Sequence, residues 1–274
     1  MAHLRYVRNP AHVPARRPGL DCTVRSLRVR YETDPEIHAA LLPRPLQASE
    51  RPEIFIQHAN VSMHVRPGHD VNIGAATVGV KCSHEGTEGY YVLAMPMQGE
   101  FVVISGRERF GEPKKIAEVA SMEIAGNRVT TVIARHGIEF LEMSGEIGES
   151  LAAPAPFTEY FFCHKALPRI DGADGFDGPV FLTRLNWQRN YSDVKRILNP
   201  QVILRESPWD PLVDVPVRRI VEMQLAEGAT QTSGQILAEI PGEYLADHIH
   251  QRYDDGIDIG MDLELASERK VANA

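Results

Sequence analysis

Two adjacent lysines, Lys114 and Lys115, lie in the segment of this sequence whose residue types best support chemistry. They follow a loop shaped by Gly111 and Pro113, and apolar chain flanks that loop on both sides. A neutral lysine amine can attack a ketone, whereas the protonated amine cannot. A free lysine has a pKa of about 10.4, so a lysine that reacts in this way must first be taken out of water.

Apolar residues that could shield such an amine lie before and after the two lysines. They are Val102, Val103, Ile104, Ile116 and Ala117. Successive residues of an extended chain point to opposite sides, so Lys114 and Lys115 should not enter one pocket together. We therefore expect desolvation to activate the reacting lysine, while Lys115 pairs with a carboxylate. An arbitrary lysine pair would be better interpreted as two exposed residues after a turn.

The blocks Gly106-Arg107-Glu108 and Pro113-Lys114-Lys115 have the spacing found in the acetoacetate decarboxylase family, and the sequence resembles that family. Weaker similarity extends over roughly residues 20 to 253. The resemblance implies that Lys114 is a nucleophile that forms a Schiff base with a small oxo acid. It also implies that Lys115 acts beside it as part of the catalytic pair.

Four residues are candidates for binding the substrate. Arg25 is near the place where the family has an arginine that meets the substrate carboxylate, although the register could slip by one residue. Arg107 is a second candidate, and its neighbour Glu108 is better explained as an ion-pair partner that pins the loop. Tyr244 could reach a pocket from a helix, but a helix aromatic is more often part of the core. Gln57 is the fourth candidate.

The sequence departs from the family at the acidic positions. Family members carry glutamates in the strands before the motif, and those places fall at Gln57 and near Ala75 here. The family has an aromatic residue before Pro113, and this chain has Glu112. Glu112 could act as a general acid and base on the bound substrate, or it could be a solvated loop residue.

The iminium that the resemblance implies could lead to different reactions. Loss of a carboxylate from the adjacent carbon is decarboxylation. Loss of a proton from that carbon gives an enamine that can attack an aldehyde, after which water is lost. The missing glutamates favour this aldol condensation and dehydration slightly, with a pyruvate-like donor. The alternatives are an acetoacetate decarboxylase and a non-catalytic member of the fold that binds an oxo acid.

The pattern of short strand-like runs separated by turns predicts an α+β fold that is mainly antiparallel β and barrel-like. Residues 54–65, 71–81, 90–95 and 100–104 are predicted strands, as are several later runs. Residues 35–42 are predicted to form a helix capped by Asp34, and residues 241–253 a second helix. We expect an N-terminal arm over residues 1–20, one domain over 21–253 and a polar tail over 254–274.

The composition limits the choice of partners. The 274 residues carry a net charge of −8, which argues against nucleic acid or an anionic membrane as the main partner. Three cysteines without short spacings, and the lack of a long apolar run, favour a cytoplasmic protein. The histidines lack partners at metal-ligand spacing, so we expect no metal and no cofactor. The arginine-containing arm before residue 20 suits a contact in a homo-oligomer.

Overall fold

The structure is a computed structural model that describes Tyr6, residues 21–249 and Arg252. In this part of the chain, twelve strands form one sheet. The first six are β1 (Asp21–Glu32), β2 (Gln47–Ala48), β3 (Glu53–Arg66), β4 (His69–His84), β5 (Thr87–Met97) and β6 (Lys114–Ile116). The others are β7 (Val119–Ala125), β8 (Arg128–Arg135), β9 (Ile138–Leu151), β10 (Phe157–Lys165), β11 (Val180–Leu204) and β12 (Arg219–Ile240). The helices are α1 (Pro35–Ala40) and α2 (Glu100–Phe110), with 3-10 turns at Leu212–Asp214, Gly242–Tyr244 and Ala246–His248.

Seven of these strands close into a barrel. Their order is β5-β4-β3-β1-β12-β11-β10, and β10 pairs with both β11 and β5. All neighbours in this ring are antiparallel except β10 and β5, which pair in parallel at Phe161–Tyr90 and Phe162–Tyr91. The predicted mainly antiparallel α+β fold is confirmed. No helix in the described residues has the length and apolarity needed to cross a membrane.

The two faces of the barrel wall have different neighbours. Leu27, Val29 and Tyr31 of β1 point outward into a large core that β7, β8 and β9 cover, and this core includes the fully buried Phe140 of β9. Side chains of a strand alternate between its faces, so the even-numbered residues of β1 point into the barrel. A second, smaller core fills part of the interior and includes Phe55, Met95, Phe161 and Trp187.

Helix α2 corrects the prediction of a strand over residues 100–104. The β-branched run 102–104 favours a strand locally, but Val102 and Val103 are buried when this segment packs as a helix against the barrel. Gly111 ends the helix with φ 76°, a left-handed conformation that glycine adopts without steric cost. The helix thereby returns the chain to the barrel wall at β6.

Two further predictions needed correction. The helix over 241–253 is wrong, since the described residues form two 3-10 turns there, with Tyr244 N–H bonded to the Pro241 carbonyl and His248 N–H to that of Leu245. Asp34 precedes α1 as predicted, but its carboxylate makes no capping bond and instead accepts from Arg218.

Apart from Tyr6, the predicted arm and the predicted tail lie outside the described residues. The domain limits, the homo-oligomer and the cytoplasmic location therefore stay predictions.

Candidate active site

The interior of the barrel contains a cavity of about 420 Å³. Alternate residues of six strands and residues of α2 form most of its wall, and Glu112 and Lys114 complete it. The strand residues are Cys22, Val24, Gln57, Ala59, Val61, Met63, Ile73, Ala75, Thr77, Met95, Met97, Trp187, Arg189, Thr230 and Thr232. Most of these side chains are apolar, so the polar groups among them stand in a poorly solvated environment.

Lys114 reaches this cavity from β6. Its side chain is 13% exposed, and its Nζ atom lies 2.8 Å from Oε2 of Glu112. Nζ also donates to the Val102 carbonyl at 3.4 Å. Glu112 itself is 3% exposed, so it is not the solvated loop residue that was one of the two sequence interpretations. The structure thus brings two of the three predicted catalytic residues together in the cavity.

Gly106 makes room for this pair. A Cβ atom at Gly106 would lie 2.3 Å from Oε2 of Glu112 and 2.5 Å from Nζ of Lys114. Glycine in the middle of a helix costs about 1 kcal/mol relative to alanine, so its presence in α2 needs a compensating reason. The space taken by the Lys114–Glu112 pair is that reason.

Lys115 points away from the cavity, as expected for the next residue of a strand. Its Nζ atom donates to the Trp209 carbonyl at 2.7 Å and lies 3.4 Å from Oδ1 of Asp210. Asp210 also pairs with Arg135 at 2.6 Å, and all three side chains are buried. The expected carboxylate partner of Lys115 is therefore present, whereas its predicted part in catalysis does not fit this position.

Arg107 supports the backbone of the site instead of lining the cavity. Its Nη1 atom donates to the Lys114 carbonyl at 2.7 Å and to the Arg252 carbonyl at 3.0 Å. Arg252 in turn donates to the carbonyls of Gly111 and His164. That Arg107 binds substrate stays a prediction, which these backbone contacts do not support, and Glu108 is exposed.

Arg25 and Tyr244 are also absent from the cavity wall. Arg25 lies on the outer face of β1, where it pairs with Glu227 at 2.7 Å beside an open groove of about 900 Å³. Its odd position in the strand directs it outward, so Arg25 does not line this cavity and its part in substrate binding stays a prediction. The guanidinium carbon of Arg44 lies 4.0 Å from the ring centroid of Tyr244, and the Tyr244 side chain packs on the outer core.

Gln57 does line the cavity, and it leads to an arginine that the sequence interpretation missed. Oε1 of Gln57 accepts from Nη2 of Arg189 at 3.2 Å, and both side chains are buried. Arg189 also donates from Nε to Glu159 at 2.8 Å and from Nη1 to Thr230 at 3.2 Å. The pattern Trp187, Arg189, Tyr191 alternates along one face of β11, and this periodicity was the available signal.

Glu159 lies between two arginines, since Arg28 pairs with its other oxygen. Burial alone would raise the pKa of Glu159, but the charges of Arg28 and Arg189 outweigh burial and lower that pKa. Burial would likewise lower the pKa of Arg28, and the Glu159 charge instead raises it. Glu159 and Arg28 are therefore ionised at neutral pH, and together with Arg189 they carry two positive charges and one negative charge.

The histidines in the described residues do not form a metal site. His58 is buried, and burial lowers its pKa to about 4, partly opposed by its hydrogen bond to Asn60. Within the described part of the chain, no three His, Cys, Asp or Glu side chains are grouped so that they could hold a metal ion.

Comparison with known proteins agrees with this fold. The sequence model of the family described as acetoacetate decarboxylase (ADC) matches residues 4–240. The chain therefore belongs to the acetoacetate decarboxylase family.

Curated relatives are similar at moderate identity. The acetoacetate decarboxylase of Burkholderia vietnamiensis is 26% identical over 231 residues, which are 80% of this chain and 86% of the relative. Acetoacetate decarboxylase 1 of Bradyrhizobium diazoefficiens is 28% identical over 154 residues, or 53% of this chain. That match spans 58% of the relative, a little over half of its length.

Solved structures share the fold. A structure of acetoacetate decarboxylase superposes with a TM-score of 0.70 and 17% identity, covering 86% of this chain and 96% of that one. The enduracididine biosynthesis enzyme MppR, in complex with the condensation product of pyruvate and imidazole 4-carboxaldehyde, gives a TM-score of 0.63 at 14% identity, with coverage of 81% and 90%. At these identities the likeness concerns the fold.

Proposed function

We propose that this protein is a lyase that forms a Schiff base between Lys114 and a small oxo acid. The observation that carries the proposal is the contact of 2.8 Å between Nζ of Lys114 and Glu112 inside a mostly apolar cavity. A carboxylate at this distance can accept a proton from the ammonium group and leave a neutral amine. Such an amine, largely removed from water, is the nucleophile that carbonyl chemistry needs.

The first steps use these two side chains alone. The Nζ lone pair attacks the keto carbon, and the carbonyl oxygen becomes a hydroxyl with a proton from Glu112. Glu112 then takes a proton from the attacking nitrogen and passes it to the hydroxyl, which leaves as water, and a C=N iminium bond remains. The iminium withdraws electrons from the adjacent carbon, and Glu112 can take a proton from that carbon to give the enamine.

Aldol condensation followed by dehydration is the reaction we favour for this enamine. Its carbon attacks the carbonyl carbon of an aldehyde, the new alkoxide is protonated, and water is then lost. This sequence needs one group that repeatedly moves protons, and Glu112 is the one carboxylate among the described residues of the cavity wall. Gln57 and Ala75 stand where we align the glutamates of the family. MppR, named with a condensation product of pyruvate, has the same fold.

Decarboxylation of acetoacetate is the second candidate, and the names of the curated relatives favour it. It would use the same Lys114 iminium, with carbon dioxide leaving in place of a proton. A third possibility is a protein that binds an oxo acid at Lys114 without a covalent bond.

Borohydride trapping separates the two Schiff-base reactions from the non-covalent binder. Purified protein is treated with borohydride in the presence of pyruvate or acetoacetate, and its intact mass is measured. We expect a reduced adduct on the wild type, and none on Lys114→Ala. The control is Lys81→Ala, which removes a lysine on β4 that pairs with Glu88 of β5. This variant should keep the adduct. If the wild-type protein gains no mass with any oxo acid, the protein binds the oxo acid without a covalent bond, as in the third possibility.

Product analysis then divides the two reactions. Release of carbon dioxide from acetoacetate at ordinary enzymatic rates would support decarboxylation. Condensation of pyruvate with an aldehyde, without such release, would support the aldol reaction.

A further inference from the structure

A group of hydrogen-bond donors lines the cavity apart from Lys114. The three bonds that Arg189 makes to Gln57, Glu159 and Thr230 use three of the five N–H groups of a guanidinium. Trp187 is next to it, with the Arg189 guanidinium carbon 4.5 Å from its ring centroid. Nε1 of Trp187 is buried and has no hydrogen-bond partner in the described part of the chain. Buried donors normally have partners, so this group is arranged for an acceptor.

The charge of this group favours an anion. Arg28 and Arg189 share the single carboxylate of Glu159, so one positive charge is left uncompensated among these three residues. Arg189 is 3% exposed, and a buried charge without a counter-ion is unfavourable. Arg28 and Glu159 hold the guanidinium of Arg189 in place from behind and are positioning residues.

The position of this group sets the reach of the ligand. Lys114 pairs with Met95 of β5, the β4–β5 register puts Thr77 beside Met95, and Gln57 pairs with Thr77. Strands are about 4.8 Å apart, so these three steps put Lys114 and Gln57 at most about 14 Å apart along the wall. A ligand that contacts both must extend across the cavity. The volume of about 420 Å³ falls within the range of about 300–1,000 Å³ typical of pockets for larger ligands.

We propose that Arg189, Gln57 and Trp187 form an anion subsite that binds a carboxylate several bonds away from the carbonyl that Lys114 attacks. This inference rests on the function proposed for Lys114. The carboxylate can belong to the far end of the oxo acid itself or to the aldehyde with which its enamine condenses. Both sources present the same chemistry to Arg189, namely a planar anion that a guanidinium binds through paired hydrogen bonds.

The first experiment tests the oxo acid as the source. Borohydride trapping is measured against concentration for 4-oxopentanoate and for 2-pentanone, which has the same ketone but lacks the carboxylate. In the wild type, 4-oxopentanoate should half-saturate at a concentration at least about ten-fold lower, the usual scale of a charged hydrogen bond. Arg189→Gln should remove this advantage, because it weakens trapping of 4-oxopentanoate more than trapping of 2-pentanone. Arg25→Gln, which removes an arginine outside the cavity, should keep it.

The second experiment tests the aldehyde as the source. The rate of condensation with pyruvate is compared for succinic semialdehyde and for butanal in the same variants. An advantage of the charged aldehyde that depends on Arg189 assigns the subsite to the second reactant. If Arg189→Gln changes neither the ketone pair nor the aldehyde pair, the subsite is overturned.

Two further measurements keep the test decisive. Trapping of 2-pentanone reports whether Arg189→Gln still folds around Lys114. If that variant does not fold, Arg189→Lys replaces it. We expect Arg189→Lys to show an intermediate advantage of 4-oxopentanoate over 2-pentanone. Calorimetric binding of pentanoate needs no Schiff base, so it should weaken at least about ten-fold in Arg189→Gln even if Lys114 forms no adduct. Pentanoate that binds equally to the wild type and the variant would overturn the subsite independently of the function proposed for Lys114.

Discussion

Nζ of Lys114 lies 2.5 Å from the place where a Cβ atom would stand at Gly106. The two residues are eight positions apart, on α2 and β6, and the packing of the helix against the strand brings them together. The glycine of the Gly106-Arg107-Glu108 block therefore acts on the lysine through the space it leaves.

Gly106→Ala should remove most of the Lys114 adduct while the protein stays folded. Alanine favours the helix by about 1 kcal/mol, but its methyl group displaces Nζ or the Glu112 carboxylate. Trapping with pyruvate, followed by mass spectrometry, measures the loss. Ser105→Ala, on the same helix, is the matched control and should trap like the wild type. Full trapping by Gly106→Ala would mean that the pair can shift without losing its reactivity.

Glu112→Gln should slow adduct formation by about 10²–10⁴-fold, because an amide of the same shape cannot take up the proton that Lys114 must lose. The rate of borohydride-trapped adduct formation at neutral pH is the measurement. Glu108→Gln changes an exposed carboxylate on α2 and should have little effect. Equal rates in the two variants would remove Glu112 from the mechanism.

Asp210→Asn should destabilise the protein by about 3–5 kcal/mol, since it removes the charge of a buried carboxylate that contacts both Lys115 and Arg135. Chemical unfolding measures this difference in the free energy of unfolding. The control is Asp171→Asn, which breaks an exposed pair with Arg169 and should leave the transition nearly unchanged. A small effect of Asp210→Asn would show that the two cations find water or another acceptor.

His164 should make the protein less stable as the pH falls. Burial, followed by the nearby charge of Arg252, lowers the pKa of His164 from 6.5 to about 3. Below pH 6.5 the unfolded chain therefore binds a proton that the folded protein excludes, so stability is lost progressively between about pH 6.5 and 3. The loss attributable to this residue is about 2 kcal/mol at pH 5.

His164→Phe should flatten the dependence of unfolding free energy on pH, and the residual slope includes His58, whose pKa is also lowered. The control is His69→Phe, which makes the same replacement at an exposed histidine on β4. An unchanged slope in His164→Phe would contradict the exclusion of the proton from the buried ring.

The strand pattern of the fold was accessible from sequence because each barrel strand alternates between a core face and a cavity face. Helix α2 was not, since its segment is rich in β-branched residues and its moderate burial depends on the barrel beneath it. Two glycines, Gly99 and Gly111, flank the helix with positive φ angles of 90° and 76°. They were the local signal that a compact element, and not a fourth consecutive strand, occupies residues 100–110.

The residues of the site also divide into those that could be predicted from the sequence and those that could not. Lys114 and Glu112 belong to one short segment, so a motif could identify them. Arg189 is 75 residues from Lys114 in the chain and enters the cavity through the closure of the barrel by β10 and β11. A single buried arginine in a strand is interpretable only with its partner, and Glu159 lies on another strand. Arg25 lies outside the cavity because one residue of register decides between the two faces of β1.

The opposite directions of Lys114 and Lys115 make the catalytic segment sensitive to length more than to composition. Deleting one residue between Gly106 and Pro113 would move Lys115 into the place of Lys114 in the cavity and Ile116 into the place of Lys115 beside Asp210. The number of residues in this stretch therefore determines which of the two lysine amines enters the cavity. Variation among natural chains in this stretch should accordingly preserve its residue count even where the side chains differ.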